Sequence, residues 1–270
     1  MLDRFRRAKA AEIADLEELA ARGAMPPPLP GPRPPFVETL TRHAQPLAVI
    51  AEYKRASPSE GDINLEAGPE EVAAAYAEAG AGAISVLTER EYFKGDISYL
   101  ARMTGPGLPL LRKDFLSHPL QVEHSAATPA SAVLLIARML DDDALRELLR
   151  RSMDFGLTPV TEVFNEQDLR RARAAGASVI QVNNRDLETL RVDTSLARRL
   201  VAGKKAGEFW ITASGICGHG DLLAAAASGF DAALIGTSLM RCAKPGEALA
   251  AMLHGGRGPL SEKGRGEGHA

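Results

Sequence analysis

Five short segments recur along this chain, each an apolar run that ends in charged or small polar residues: Ile50-Ala-Glu-Tyr-Lys54, Leu110-Leu-Arg-Lys-Asp114, Pro159-Val-Thr-Glu162, Ile180-Gln-Val-Asn-Asn-Arg185 and Ile211-Thr-Ala-Ser-Gly215. A strand covered on both faces reads as a continuous apolar run, and polar side chains collect only where it leaves the core. Parallel strands whose carboxyl ends open into one shared site meet that pattern.

A strand-then-helix alternation extends it. Strands are expected near 47–54, 83–88, 109–112, 132–136, 158–163, 179–183, 209–213 and 232–235. Helix starts between them are marked by Pro69-Glu-Glu, Asp141-Asp-Asp, Asn165-Glu-Gln-Asp, Asp221 after a glycine, and Pro245-Gly-Glu, all first-turn or capping chemistry. Eight such units predict an α/β fold, a closed (β/α)8 TIM barrel. An open doubly wound sheet would usually carry a Gly-rich dinucleotide loop after the first strand, and Arg55-Ala-Ser-Pro-Ser stands there instead.

The chain has 270 residues and 45% hydrophobic content, which suits one barrel domain of roughly 250 residues better than two domains. Residues 1–45 form an N-terminal helical extension, 46–254 the barrel, and 255–270 a Gly-rich, charged tail expected to fray. In the extension, Phe5, Ile13, Leu16 and Leu19 lie among charges at roughly helical spacing, which predicts an amphipathic helix over residues 2–22. The Pro-rich run from Pro26 to Pro35 reads as a stiff connector in preference to a polyproline ligand, and a short helix from Phe36 to Arg42 follows it.

A net charge of −3 without a basic, aromatic-interleaved stripe argues against a nucleic-acid surface. Cys217 and Cys242 lack zinc or redox spacing, and so do the histidines as metal ligands, so two structural thiols in a reducing compartment are expected. No apolar run approaches the roughly 20 residues of a membrane span, and the charged N-terminus is unlike a signal peptide. These features predict a cytoplasmic protein, taken as a monomer.

Glu52 and Lys54 are two apart on the first strand and so share a face, which on a barrel strand is the lumen. Lys113 ends the third strand and Glu162 the fifth. Each has a plain reading as a charge pair, a surface lysine or a solvated strand end. A barrel, however, gathers all of them around one ligand. Ser214-Gly215 after strand seven and Gly236-Thr-Ser after strand eight stand where barrels often hold a phosphate on backbone N–H groups, so a phosphorylated substrate is expected.

Read in order, Ile50-Ala-Glu-Tyr-Lys-Arg-Ala-Ser-Pro-Ser, Ile84-Ser-Val-Leu-Thr-Glu with Tyr92-Phe-Lys-Gly, Leu111-Arg-Lys-Asp-Phe, Val133-Leu-Leu-Ile, Thr161-Glu-Val, Val182-Asn-Asn-Arg-Asp-Leu, Ala213-Ser-Gly-Ile and Leu234-Ile-Gly-Thr-Ser-Leu-Met resemble the indole-3-glycerol phosphate synthases. The likeness runs from about Phe36 to Leu249, and the extra N-terminal helix also matches that family. It implies conversion of 1-(2-carboxyphenylamino)-1-deoxy-D-ribulose 5-phosphate to indole-3-glycerol phosphate, with loss of carbon dioxide and water and with no cofactor or metal. It further implies Lys113 as the acid of ring closure, Lys54 on the hydroxyl and carboxylate side, and Glu162 in acid/base exchange. Glu52 would orient Lys54 or act as dehydration base, and Asn183 would hold a substrate hydroxyl or orient Glu162. Ser57, Ser214, Gly215, Gly236 and Thr237 would hold the phosphate, and Arg185 would support the substrate-binding loop after strand six.

Three positions depart from the family pattern. Ala213 stands where a glutamate is expected, Pro129-Ala-Ser131 replaces Gly-Ala-Asp before strand four, and Phe164 replaces a histidine. Ala213 removes a carboxylate expected near the anilinic nitrogen. It leaves two rivals beside the family reaction: a paralogue acting on a related phosphorylated substrate, and a non-catalytic phosphate-binding subunit.

Overall fold

The computed structural model describes residues 2–43, 46–186 and 189–256. The eight expected strands are β1 (Ala48–Tyr53), β2 (Ala83–Leu87), β3 (Leu110–Lys113), β4 (Ala132–Ile136), β5 (Thr158–Val163), β6 (Val179–Asn183), β7 (Phe209–Ala213) and β8 (Ala232–Ile235). Each pairs in parallel with its successor, and β8 pairs with β1 through Val49↔Ala233 and Ile50↔Leu234, so the sheet closes into the barrel that the sequence predicts. Sequence-based bounds differ by a residue or so: Lys54 lies one position past β1, and Lys113 is the last residue of β3. A small antiparallel pair, Ala56–Ser57 with Gly61–Asp62, stiffens the loop after β1. Two-residue strands leave no periodicity for sequence to show.

The helices are α1 (Leu2–Ala21), α2 (Phe36–Arg42), α3 (Pro69–Glu78), α4 (Ser98–Arg102), α5 (Pro119–Ala126), α6 (Asp142–Asp154), α7 (Glu166–Ala174), α8 (Thr194–Val201), α9 (His219–Ala227), α10 (Thr237–Met240) and α11 (Pro245–His254). Their starts follow the marked residues. Asp141 accepts from the Ala144 N–H, Asn165 accepts from the Asp168 N–H, and Pro69 and Pro245 open α3 and α11. Among the described residues no helix is long and apolar enough to cross a membrane. The tail, past Gly256, lies outside the described residues.

The Pro-rich run behaves as a connector. Leu29 N–H and the Arg33 guanidinium both donate to the Ala126 carbonyl at the end of α5, so the segment lies against α5 before it leads into α2.

The amphipathic reading of α1 holds for Phe5 and Leu16, which are buried, and its inner face also carries charge. Phe5, Lys9, Glu12 and Leu16 are spaced four, three and four apart and fall on one face. Lys9 is buried and pairs with Asp114 at 2.9 Å and with Glu12, while Arg112 reaches Glu12 at 3.0 Å and Asp114 at 3.1 Å. Thr88 adds a hydroxyl hydrogen bond to Asp114 at 2.6 Å, and Arg112 also reaches the Ser125 hydroxyl of α5 at 2.9 Å. The alternation of β3 thus turns Arg112 and Asp114 outward to hold α1, and Lys113 between them inward.

Burial alone would push the Asp114 carboxyl up. The charges of Arg112 and Lys9 and the hydrogen bonds from Thr88 and Lys9 outweigh it, and the group titrates at about 2. An unfolded aspartate titrates near ~3.9. The stabilisation is therefore complete above about pH 4 and is lost as the pH falls toward 2. Asp114→Asn should cost about 3–5 kcal/mol at neutral pH by leaving two buried cations short of a partner. It should also flatten the acid limb of stability between about pH 4 and 2. Thermal melts across that range check both, and an unchanged acid limb would show that another carboxylate sets it.

Candidate active site

The carboxyl ends of the strands surround a cavity of about 440 Å³. Side chains of matching parity enter it from the strand ends, among them Glu52 and Lys54 at β1, Leu87 at β2, Lys113 at β3 and Ile136 at β4. Glu162 at β5, Asn183 at β6, Ala213 at β7 and Leu234 at β8 complete the ring. Strand order fixes which groups oppose each other: β1 faces β5, so Glu52 looks across at Glu162, and β3 faces β7, so Lys113 looks across at Ala213.

The Glu52 carboxylate is buried and holds both lysines, Lys54 Nζ at 2.9 Å and Lys113 Nζ at 3.8 Å, with the Ser85 hydroxyl at 3.5 Å. Burial would push its carboxyl up, but the charges of Lys54 and then Lys113, with hydrogen bonds from Lys54 and Ser85, hold it below the usual carboxylate range. Both ammonium groups reach the cavity while resting on one anion.

Glu162 is arranged differently. Its carboxylate accepts one hydrogen bond, from Gln181 Nε2 at 2.5 Å, and among the described residues no cation pairs with it. Asn183, expected to hold a substrate hydroxyl or to orient Glu162, makes no hydrogen bond to Glu162 among the described residues. Asn183 Oδ1 instead accepts from the Ser214 hydroxyl at 2.9 Å and from the Arg185 N–H at 3.0 Å, because these lie just beyond the strand end, whereas Gln181 sits beside Glu162 in the sheet register.

The loop after β7 is built around strain. Ser214 has φ +68° and Gly215 φ +84°. The adjacent Asn184 donates to the Ala213 carbonyl at 3.1 Å and the Ser214 carbonyl at 2.9 Å, holding that turn, and the Ser238 hydroxyl donates to the Ile216 carbonyl at 2.8 Å, joining it to α10. A Cβ at Gly215 would meet Val192 Cγ1 at 2.9 Å. At Gly236 a Cβ would lie 3.0 Å from the Glu52 Cδ and closer still to Oε1, so this glycine makes room for the carboxylate as well as exposing backbone. Thr237 opens α10 at the cavity wall, and Ser57 contributes its hydroxyl, 3.3 Å from that of Ser59. Arg185 donates to the Leu190 carbonyl at 3.1 Å and pairs by backbone with Val192, bracing the loop after β6 while it lines the cavity.

Opposite the cradle the wall is aromatic. Phe5 from α1 stacks on Phe115 with ring centroids 3.9 Å apart, and Phe93 packs at 6.0 Å from Phe115. Two ion pairs tie the rim: Lys94 to Asp62 at 2.6 Å links the loops after β2 and β1, and Arg241 to Glu60 links the latter to the end of α10. Every site residue named from sequence lines this one cavity. Sequence reasoning missed Gln181, Asn184, Ser238 and Arg241; only Gln181, which shares the parity of Asn183, carried a readable signal. Phe164 packs under the Arg138 guanidinium at 4.0 Å and faces away from the cavity chemistry. Among the described residues no cluster of three or more His, Cys, Asp or Glu is placed to hold a metal ion.

A family model for indole-3-glycerol phosphate synthase matches residues 2–252. A Mycobacterium ulcerans protein of that name is 40% identical over 258 residues, covering 95% of this chain and 92% of the relative. One from Aquifex aeolicus is 46% identical over 208 residues, 76% and 80% of the two chains. Among solved structures, 3-hexulose-6-phosphate synthase superposes with a TM-score of 0.60 at 17% identity, covering 78% of this chain and 100% of that one, a likeness of fold alone. The closed barrel, the charged ring at its carboxyl end and these matches converge: the chain belongs to the indole-3-glycerol phosphate synthase family.

Proposed function

We propose a division of labour among the cavity residues for the reaction of this family, the decarboxylating and dehydrating closure of 1-(2-carboxyphenylamino)-1-deoxy-D-ribulose 5-phosphate to indole-3-glycerol phosphate. The observation that carries it is the pair of ammonium groups resting on Glu52 at 2.9 and 3.8 Å. The substrate brings a carboxylate that competes with Glu52 for those lysines, so binding itself loosens the acids from their anion.

Lys113 protonates the ribulose carbonyl as the ring carbon bearing the carboxylate attacks it, which stabilises the developing alkoxide. Carbon dioxide then leaves and the ring regains aromaticity. In the dehydration, Lys54 supplies the proton on which the hydroxyl leaves as water, and Glu162 takes up and returns protons near the anilinic nitrogen. Glu52 holds Lys54 in place for that transfer. Asn183, whose side-chain N–H groups meet no described acceptor, binds a substrate hydroxyl. Backbone N–H groups around Ser214-Gly215 and Gly236-Thr237, with the Ser57 hydroxyl, take the phosphate. The thiols of Cys217 and Cys242 fit the reducing cytoplasm in which we place this activity.

Ala213 lies between Asn183 and Leu234 in the register and leaves that side of the cavity without an anion. Ala213→Glu should raise turnover on the carboxyphenylamino substrate by roughly tenfold, about what one hydrogen bond to a charged group supplies. Indole fluorescence, with product mass, measures it in wild type and variant. A lower melting temperature with no gain in product would mean a buried unpaired charge in a site reshaped for another phosphorylated ligand. Substrate binding without turnover in the wild type would sink the catalytic reading.

A further inference from the structure

Gln181 is the buried polar group of the lumen that the mechanism above leaves idle. It lies two residues before Asn183 on β6, so its side chain shares the inward face, level with Glu162 of β5 and Ile211 of β7. It has no solvent exposure and does not line the cavity, whereas Glu162 does. Its Nε2 donates to Glu162 Oε2 at 2.5 Å, and its Oε1 meets no partner among the described residues. A methionine would fill the same volume without an orphaned carbonyl, and buried orphans are costly. The amide is explained by what its other end does.

We propose that Gln181 is a positioning residue for Glu162, a neutral partner that holds the carboxyl group in both of its protonation states; the inference rests on Glu162 acting in acid/base exchange. One carboxyl oxygen, Oε2, is turned down to the amide, which leaves Oε1 for the cavity. When Oε1 takes a proton from the substrate, Oε2 becomes the carbonyl oxygen of the acid and still accepts the same N–H. Returning the proton restores the carboxylate with that bond intact. The hydrogen bond survives the whole cycle. A lysine in that place would favour the ionised form alone, as the pairing of Glu52 with Lys54 illustrates across the barrel. The two carboxylates that face each other over the cavity are thus divided by their supports: Glu52 is fixed as an anion by two cations, and Glu162 is left able to exchange a proton.

The test is a double-mutant cycle of Gln181→Met and Glu162→Gln, with kcat, KM and melting temperature measured on the carboxyphenylamino substrate. Gln181→Met keeps the shape and removes the donor. It should lower kcat roughly 10- to 100-fold, change KM less than about threefold, and leave the melting temperature equal or higher because the orphaned carbonyl is gone. In the Glu162→Gln background the same change should add little, since its effect passes through the carboxylate. Should Gln181→Met not fold, Gln181→Asn, which withdraws the amide by one methylene, should show the same loss. An impaired Glu162→Gln with wild-type kcat in Gln181→Met, or an equal Gln181 effect in both backgrounds, overturns the inference. Wild-type turnover in Glu162→Gln instead overturns the role of Glu162 itself.

Discussion

Lys113→Ala should lower turnover by roughly 10²- to 10⁴-fold while changing substrate affinity much less. Ring closure turns a ketone oxygen into an alkoxide, and the ammonium at the end of β3 is the group across the barrel from the open side at Ala213. Losing a general acid removes an interaction made mainly in the transition state, so kcat falls and KM stays. The variant also takes one cation from Glu52, but Lys54 still pairs with that carboxylate at 2.9 Å, so the site should remain assembled. Steady-state kinetics followed by indole fluorescence decide the matter. Near wild-type turnover would move the acid to Lys54, the other ammonium in the cavity.

Gly236→Asp should abolish measurable turnover and phosphate binding, a larger effect than the loss of one acid. Two causes add. The new side chain starts where the Glu52 carboxylate already lies, 3.0 Å from its Cδ and 3.1 Å from its Cβ, so Glu52 must leave the lysines it holds. The new charge then stands beside a second anion and in the cradle meant for a third. Overpacking of this kind costs about 1–3 kcal/mol of stability as well. Gly236→Ala separates the causes, since a methyl group displaces Glu52 without adding charge and should leave weak phosphate binding with little turnover. Calorimetry showing wild-type affinity for inorganic phosphate in the aspartate variant would place the phosphate elsewhere.

The barrel was legible because buried parallel strands must be apolar along their length and polar only where they end. Glu52, Lys54, Lys113, Glu162 and Asn183 stand at those ends; parity put Glu52 and Lys54 on one face, and only closure of the barrel gathers the rest around them. The supports were less visible. Gln181 lies inside an apolar run, and its partnership with Glu162 depends on which strand becomes its neighbour. Lys9 and Glu12 had a readable signal, because they share a face with Phe5 and Leu16. What they pair with, Arg112 and Asp114, follows only from where the closed barrel places β3. Gly236 was expected to expose backbone to a phosphate; that it must also clear space for Glu52 comes from the contact between β8 and β1, which exists only once the sheet has closed.

The clamp on α1 also has a consequence for the order in which the chain is made. The helix is synthesised before every side chain that covers its inner face: Arg112 is 100 residues beyond Glu12, and Asp114 is 105 beyond Lys9. At roughly 5–20 residues per second, that is a wait of about 5–20 s on the ribosome, during which Phe5 lacks the stacked ring of Phe115 and Lys9 has no buried anion beyond its own helix. Most helical stability in proteins comes from tertiary packing, so α1 lacks its main support through that interval. Its docking is therefore gated by the emergence of β3, and the nascent chain completes its aromatic wall only after the strand that carries Lys113 is in place.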